Sequence, residues 1–168
     1  FFANSDPLWF TYLAKDTYRS AAFLGLPFHW PRPDPVLMDF ATRKYPKEQP
    51  YIHRLTRLGQ VATEMGKGLA FIDEVSQIIW DGSIIGWHEG DHLKDAAARA
   101  GLDLAAMDVI AVRDAERLDG IIDAAQVAQR EAGHYGVPMM AVDGEPFFGQ
   151  DRFDQLVWRL KLKGMQPR

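Results

Sequence analysis

Residues that could bind a small peptide lie near the end of the chain, where Val137-Pro138 precedes a short apolar run. An X-Pro bond can be cis, and the strand and hairpin pattern around this proline favours the cis form. A cis bond at a strand entrance turns the main-chain N–H and C=O of the preceding residue outward. Val137 would then pair with an extended peptide in the way that an added strand does.

A second pair of candidate binding residues, Gln150 and Asp151, begins the last predicted helix. The free amides of a helix N-terminus favour a carboxylate, and the Asp151 side chain offers a counter-charge for an ammonium group. A ligand that carries both groups on one carbon would suit these two residues. The alternative is that Asp151 only caps the helix, a role worth about 1 kcal/mol.

A strand, a hairpin turn, a second strand and a helix position these residues in a fixed order. The first apolar run extends from Pro138 to Val142, Asp143-Gly144 is typical of a tight hairpin turn, and the second run ends at Phe148. This order, with a proline at its start, is typical of the C-terminal half of a thioredoxin-type fold. The helix that follows carries four apolar residues on one face: Phe153, Leu156, Val157 and Leu160.

The chain between residue 7 and about residue 112 is predicted to be nearly all helix. Aspartate caps, prolines and glycines delimit the segments. A helical block inserted between the two halves of a thioredoxin-type domain explains this pattern. The predicted helices run from Asp6-Pro7 to Gly25, Val36 to Arg43, Tyr51 to Met65, Leu69 to Trp80, Asp91 to Arg99, Asp103 to Ala111, and Asp114 to Ala132.

The composition limits the classes of function that this protein could have. The 168 residues carry a net charge of -4 and are 47% hydrophobic, and no apolar run approaches membrane-spanning length. Nucleic acid is not an expected partner, because sequence-independent binding to it rests on clustered Lys and Arg. These residues include no cysteine, so they cannot form a Cys-X-X-Cys redox pair or a cysteine zinc site.

The segment from His88 to His92 matches H-E-x-x-H, the pattern of zinc proteases. Two histidines four residues apart bind one metal only if they lie on a continuous helix. Gly86 and Gly90 disfavour such a helix, because each glycine in a helix interior costs roughly 1 kcal/mol of stability. We therefore predict no metal site here. Asp91 is instead predicted to cap a helix that has His92 in its first turn.

The motifs Gly136-Val137-Pro138 and Phe148-Gly149-Gln150-Asp151-Arg152, in this order of elements, resemble the DsbA-like thioredoxin-fold family. The similarity is to the branch that contains 2-hydroxychromene-2-carboxylate isomerases and kappa-class glutathione transferases. The Phe-Gly-Gln-Asp-Arg block is the most specific motif. Three shorter segments are similar to the bacterial isomerase-like members: Ala3 to Pro7, Leu24 to Phe28, and Trp87 to Leu93.

The resemblance implies an α/β thioredoxin-like fold with a large all-helical insertion. Residues 1–6 would end the N-terminal thioredoxin half, residues 7–112 would form the insertion, and residues 113–168 would form the C-terminal half. The chain begins with Phe1-Phe2, so we expect a β-α-β part upstream of these residues. In the resembled family that part carries the catalytic serine.

The resemblance also implies a glutathione-dependent isomerase that acts on an unsaturated aromatic keto acid by reversible thiolate addition. The implied glutathione-binding residues are Asn4, Val137, Pro138, Gln150 and Asp151. A homodimer is expected because family members are often dimers. A cytoplasmic location is expected because the residues contain no signal peptide.

Two other functions are compatible with the same residues. A kappa-like glutathione transferase would use the same thiolate but keep the conjugate. A non-catalytic binding protein of thioredoxin fold would have no active thiolate. The sequence favours the isomerase only through the family resemblance.

Overall fold

The computed structural model describes residues 6–39, 41–42 and 44–166. The chain divides after Leu118 into two compact units, a helical one and a smaller one that contains a hairpin. The elements in order are α1 (Pro7–Leu24), α2 (Ile52–Glu64), α3 (Gly68–Trp80), α4 (His92–Arg99), α5 (Leu104–Arg113), α6 (Ala115–Glu131), β1 (Met139–Val142), β2 (Glu145–Phe148), a 3-10 turn (Gln150–Arg152) and α7 (Phe153–Leu162).

Helix α1 begins and ends at the residues that the sequence predicts. The Asp6 carboxylate accepts a hydrogen bond from the Leu8 amide at 2.8 Å, and a proline occupies the first helical position. At the other end Gly25 is left-handed, with φ +67°, and its amide bonds the Ala22 carbonyl. The predicted cap and glycine stop are confirmed.

Helices α2 to α5 enclose the core of the helical unit. Leu58 and Ala62 on α2 and Met107 on α5 are fully buried, as are small residues such as Ala96 on α4. Most of the buried side chains are large apolar ones, and the alanines among them let helix backbones approach closely. None of the helices in the described ranges is long and apolar enough to cross a membrane.

Trp87 joins the loop after α3 to the segment before α2 that contains Pro31, Pro33 and Pro35. Its side chain is 2% exposed, and its indole N–H donates to the Pro33 carbonyl at 2.8 Å. The Tyr51 ring packs edge-on against it, with ring centroids 5.5 Å apart. The Arg32-Pro33 bond in this segment is cis, which the sequence analysis did not predict.

The prediction of a helix from Val36 to Arg43 is wrong, because the described residues of this stretch are not helical. The Asp34 carboxylate accepts from the Val36 amide, as a cap would. However, both main-chain groups of Leu37 bond the Gln49 side chain instead of continuing a helix. The Asp39 carboxylate then closes a tight turn by accepting hydrogen bonds from the Thr42 and Ala41 amides. These bonds hold the pKa of Asp39 below its usual range.

The segment from His88 to His92 does not lie on one helix. Helix α4 begins at His92, and Gly90 before it has φ +54°, so His88 precedes the helix. Asp91 occupies the predicted cap position, but its side chain makes no cap hydrogen bond. Its carboxylate lies 3.3 Å from the Lys94 ammonium instead, so the predicted capping bond of Asp91 is wrong.

Four charged residues form a network at the junction of α5 and α6. Arg113 binds Asp114 in a bidentate ion pair, with N···O distances of 2.6 and 2.9 Å. Arg117 donates to Asp114 at 3.3 Å and to Glu64 of α2 at 2.7 Å. The Arg113 hydrogen bonds, followed by those of Arg117, lower the pKa of Asp114 to about 2.

The smaller unit contains the predicted hairpin and last helix. Strands β1 and β2 pair antiparallel, with Val142 opposite Glu145. The turn residues Asp143 and Gly144 both have positive φ, as a type I′ turn requires. Phe147 and Leu156 are buried, whereas Phe153, which was predicted to share the apolar face, is 59% exposed.

We predict that Leu58→Ala lowers the free energy of unfolding by about 2–5 kcal/mol, because it opens a cavity in the helical core. Leu69→Ala is the matched control, since Leu58 is 0% exposed and Leu69 is 87% exposed. The control should change the free energy by less than about 0.5 kcal/mol. Urea unfolding followed by circular dichroism measures both, and equal effects would contradict this description of the core.

We also predict a pH dependence that comes from Asp114. Its folded-state pKa of about 2 lies below the ordinary 3.8, so its stabilising contribution is present above pH 3.8 and disappears as the pH falls toward 2. Asp114→Asn should therefore destabilise the protein at pH 7 and flatten the loss of stability in that window. Urea unfolding at a series of pH values measures the slope. Asp73→Asn, which removes an exposed carboxylate from α3, should leave the slope unchanged.

Candidate functional site

The Val137-Pro138 bond is cis, as the sequence predicts. Val137 is 79% exposed. Within the described residues, no hydrogen bond is formed by its main-chain N–H or C=O. Val137 therefore presents an unpaired main-chain edge ahead of strand β1, which is the feature that an extended peptide could pair with.

Gly136, the preceding residue, is held on both sides by side chains. Its amide donates to Nδ1 of His134 at 2.9 Å, and its carbonyl accepts from the Gln129 amide group at 2.5 Å. Gln129 lies on α6, so the helix before the hairpin fixes the start of the edge. These two bonds leave the next residue's main chain as the exposed part of the segment.

A side chain at position 136 would require the Phe148 ring to move. A Cβ added there would lie 2.3 Å from Cε2 of the Phe148 ring, far inside van der Waals contact. The same ring stacks on His134, with centroids 3.9 Å apart and planes 20° apart. Phe148 ends strand β2, so the close approach brings the last residue of the hairpin against the segment that precedes it.

The second candidate pair lies at the same end of the hairpin as the cis proline. The Gly149 amide donates to the Pro138 carbonyl at 3.0 Å, and Gln150 follows directly. The first bond of the 3-10 turn runs from the Arg152 amide to the Gly149 carbonyl at 3.1 Å. The amides of Gln150 and Asp151 precede that bond and lie at the open N-terminus of a turn that continues into α7.

Asp151 does not cap the helix. Neither the 3-10 turn nor α7 receives a capping bond from a side chain. The Asp151 side chain is 70% exposed and forms an ion pair with Arg152 at 2.7 Å. The interpretation of Asp151 as an N-cap is therefore wrong, and its carboxylate is directed toward a cation at the surface.

The structure thus brings four of the five predicted binding residues to one end of the hairpin: Val137, Pro138, Gln150 and Asp151. The fifth, Asn4, lies outside the described residues. The site has a main-chain edge at Val137 and, at residues 150 and 151, open helix amides and an exposed carboxylate; the hydrogen bond from Gly149 to Pro138 joins the two segments.

Sequence reasoning missed the residues that support this edge. Gln129 gives no local signal, because its bond to Gly136 spans seven residues and joins a helix to a loop. The role of His134 was not predicted either: its ring nitrogen accepts a hydrogen bond from the Gly136 amide. The tight packing of Phe148 could have been suspected from the glycine before Val137-Pro138.

The helical unit contains a separate apolar groove of about 1070 Å³ along α2 and α3. Leu55 and Gly59 line it from α2, and Leu69, Ile72 and Val75 line it from α3. The side chains of Leu69 and Ile72 are 87% and 61% exposed. The groove contains none of the predicted site residues, so it is distinct from the Val137 edge.

A cis proline before a two-stranded hairpin and a final helix, following a helical block, defines a thioredoxin-like fold with a helical insertion. The DSBA-like thioredoxin domain model matches residues 4–161, and the chain belongs to that family. The family includes oxidoreductases, isomerases and transferases. No curated protein and no solved structure matches the chain.

We predict that Gly136→Ala destabilises the protein by about 1–3 kcal/mol, because the added methyl group overlaps the Phe148 ring. Gly120→Ala is the matched control, since Gly120 lies within α6 and a Cβ there meets open space. The control should stabilise the protein by about 0.5–1 kcal/mol. Thermal unfolding distinguishes the two, and a neutral Gly136→Ala would contradict the close approach.

Proposed function

We propose that this protein is a glutathione-dependent isomerase of the DsbA-like family that acts on an unsaturated aromatic keto acid. The observation that carries the proposal is the exposed, unpaired main chain of Val137 beside the cis proline. Family membership and the resemblance of the Phe148–Arg152 block to the isomerase and transferase branch favour chemistry based on an external thiol. A kappa-like transferase would share the binding site and differ in whether the thiol stays on the product.

The main-chain edge of Val137 suits the cysteinyl part of glutathione. An extended peptide offers one N–H and one C=O per residue, and these can bond the matching groups of an unpaired strand edge. Because the neighbouring main-chain groups of Gly136 are already bonded to Gln129 and His134, the edge has a fixed position before a ligand arrives. Such preorganisation lowers the entropy cost of binding.

Gln150 and Asp151 suit the γ-glutamyl end of glutathione, which carries a carboxylate and an ammonium group on one carbon. The open amides at residues 150 and 151 favour the carboxylate, since a helix N-terminus carries partial positive charge. The Asp151 carboxylate favours the ammonium group. Its ion pair with Arg152 is largely exposed, with both side chains in contact with water, so a ligand can compete for it at little cost.

Bound glutathione would supply a thiolate that adds reversibly to the substrate's conjugated double bond and so permits rotation about it. A free thiol has a pKa of about 8.5, so an environment that favours the thiolate is required at neutral pH. The residues of the described chain bind and orient the peptide. Their contribution is to hold the sulfur at one position relative to the hairpin.

The test is calorimetric titration of glutathione into the wild-type chain and into Asp151→Asn. We expect the substitution to weaken binding about tenfold or more, because it removes the counter-charge of the ammonium group. Asp154→Asn is the matched control, since it removes another exposed carboxylate one turn later. Val137→Ala should also retain binding, because the edge is main chain.

Two assays then separate the candidate functions. Glutathione-dependent isomerisation of an aromatic keto acid, without formation of a conjugate, supports the isomerase. A stable conjugate with an aryl halide, together with no isomerisation, would show that the protein is a transferase and not an isomerase. If the complete wild-type protein does not bind glutathione, that result counts against both enzyme functions and favours a non-catalytic binding protein.

A further inference from the structure

The hydrogen bond between Gly136 and the His134 ring determines where the proton of that ring lies. The Gly136 amide is the donor, at 2.9 Å, and the acceptor is Nδ1. A ring nitrogen accepts a hydrogen bond only when it carries no proton, so Nδ1 is unprotonated. A neutral imidazole has one N–H, which must then be at Nε2. The bond therefore requires His134 to be neutral and in its Nε2–H form.

Protonation of His134 would break this bond. An imidazolium carries a proton on both ring nitrogens, so two donors would face each other. Among the described residues, the Gly136 amide has no other hydrogen-bond acceptor. The Gly136 carbonyl would keep its bond from the Gln129 side chain. Val137 follows directly, so the exposed edge would lose one of its two supports.

The rings that pack on His134 favour its protonated form as well as its neutral form. The Phe148 ring stacks on it with centroids 3.9 Å apart, and the Tyr135 ring stacks on it with centroids 4.8 Å apart and planes 11° apart. The face of an aromatic ring attracts a cation. The imidazole can therefore stay in its stack in both protonation states, and the group that changes partner is the Gly136 amide.

The charged residues of the neighbouring elements do not pair with His134. Its ring forms no ion pair within the part of the chain that the structure describes. Helix α6 ends with Arg130 and Glu131, and neither bonds the ring. The charged residue of β2 is Glu145, which pairs with Arg159 at 2.6 Å. The Gly136 bond is thus the polar contact of His134 that depends on its protonation.

We propose that His134 is a positioning residue that makes the Val137 edge sensitive to pH. The neutral ring holds Gly136 and, through it, the edge, whereas the protonated ring releases them. This inference rests on the proposed function, in which the edge binds glutathione. The affinity for glutathione should therefore fall as the pH falls through the range in which histidine side chains take up a proton, between about pH 8 and pH 5.

The range from about pH 7 to pH 5 isolates this ring from the other groups of the site. Carboxyl groups ordinarily take up a proton below about pH 5, whereas amines, thiols and phenols lose theirs above about pH 7.5. The other four histidines of the chain belong to the helical unit, which ends at Leu118. They are His29, His53, His88 and His92.

The first experiment is calorimetric titration of glutathione into the complete protein at pH 7 and at pH 5. The wild type should bind about fivefold more weakly at pH 5, because the support of one hydrogen bond is lost. In His134→Asn the ratio of the two affinities should fall to about one. An asparagine side-chain oxygen accepts from the amide two residues later, and it does not titrate.

Two further variants separate the hydrogen bond from the stacking and from other histidines. His134→Phe keeps an aromatic ring but has no acceptor, so it should bind glutathione at pH 7 as weakly as the wild type does at pH 5. His53→Asn is the matched control, since His53 is an exposed histidine on α2. It should keep the pH dependence of the wild type.

A second experiment follows the hydrogen bond itself and needs no ligand. In NMR spectra of the complete protein, the Gly136 amide resonance should shift with pH along the same curve as the His134 ring. The ring nitrogens should show the Nε2–H form at pH 7. In His134→Asn the Gly136 amide should no longer shift in this range.

These measurements distinguish failure of this inference from failure of the proposed function. A Gly136 amide that does not titrate with the His134 ring overturns the inference, and so does equal affinity of the wild type at pH 7 and pH 5. A His134→Asn protein with the pH dependence of the wild type also overturns it. If the Gly136 amide titrates as expected but glutathione does not bind at any pH, the role of His134 at the edge is supported and the proposed function is wrong.

Discussion

The contact between Gly136 and the Phe148 ring is the constraint that organises the hairpin unit. It requires a residue without a side chain at position 136, and it brings the end of β2 against the segment that leads into β1. The Gln129 and His134 bonds then fix the Gly136 main chain. A larger residue at position 136 would move the ring, and with it the hairpin end that holds both halves of the candidate binding site.

Features governed by neighbouring residues could be predicted from the sequence. Asp6 and Asp103 cap their helices as expected, because a cap joins a side chain to amides only two or three residues away. The Asp143-Gly144 turn follows equally directly, since both positions need positive φ. The cis bond before Pro138 could be predicted because the surrounding elements form a familiar order.

Features that depend on distant partners could not be predicted. The stretch after Asp34 has a helix-start pattern, but Leu37 bonds Gln49, which lies twelve residues away. Asp151 is a different case, because it has the right type and place for a cap but its carboxylate binds the adjacent Arg152 instead. In the candidate site, the sequence could predict the exposed edge but not its support by Gln129, because hydrogen bonds between a helix and a loop leave no periodic pattern.

The order in which α2, α3, α4 and α5 pack has a consequence for how the helical unit folds. Successive helices pack on each other, so most of the contacts join segments that are close in sequence and can form quickly. The pairing of α2 with α5 is different, because its residues are separated by about fifty positions, as the ion pair of Arg54 with Asp108 illustrates. Loop closure adds an entropy cost to that pairing, and the burial of Leu58 on α2 and Met107 on α5 offsets it.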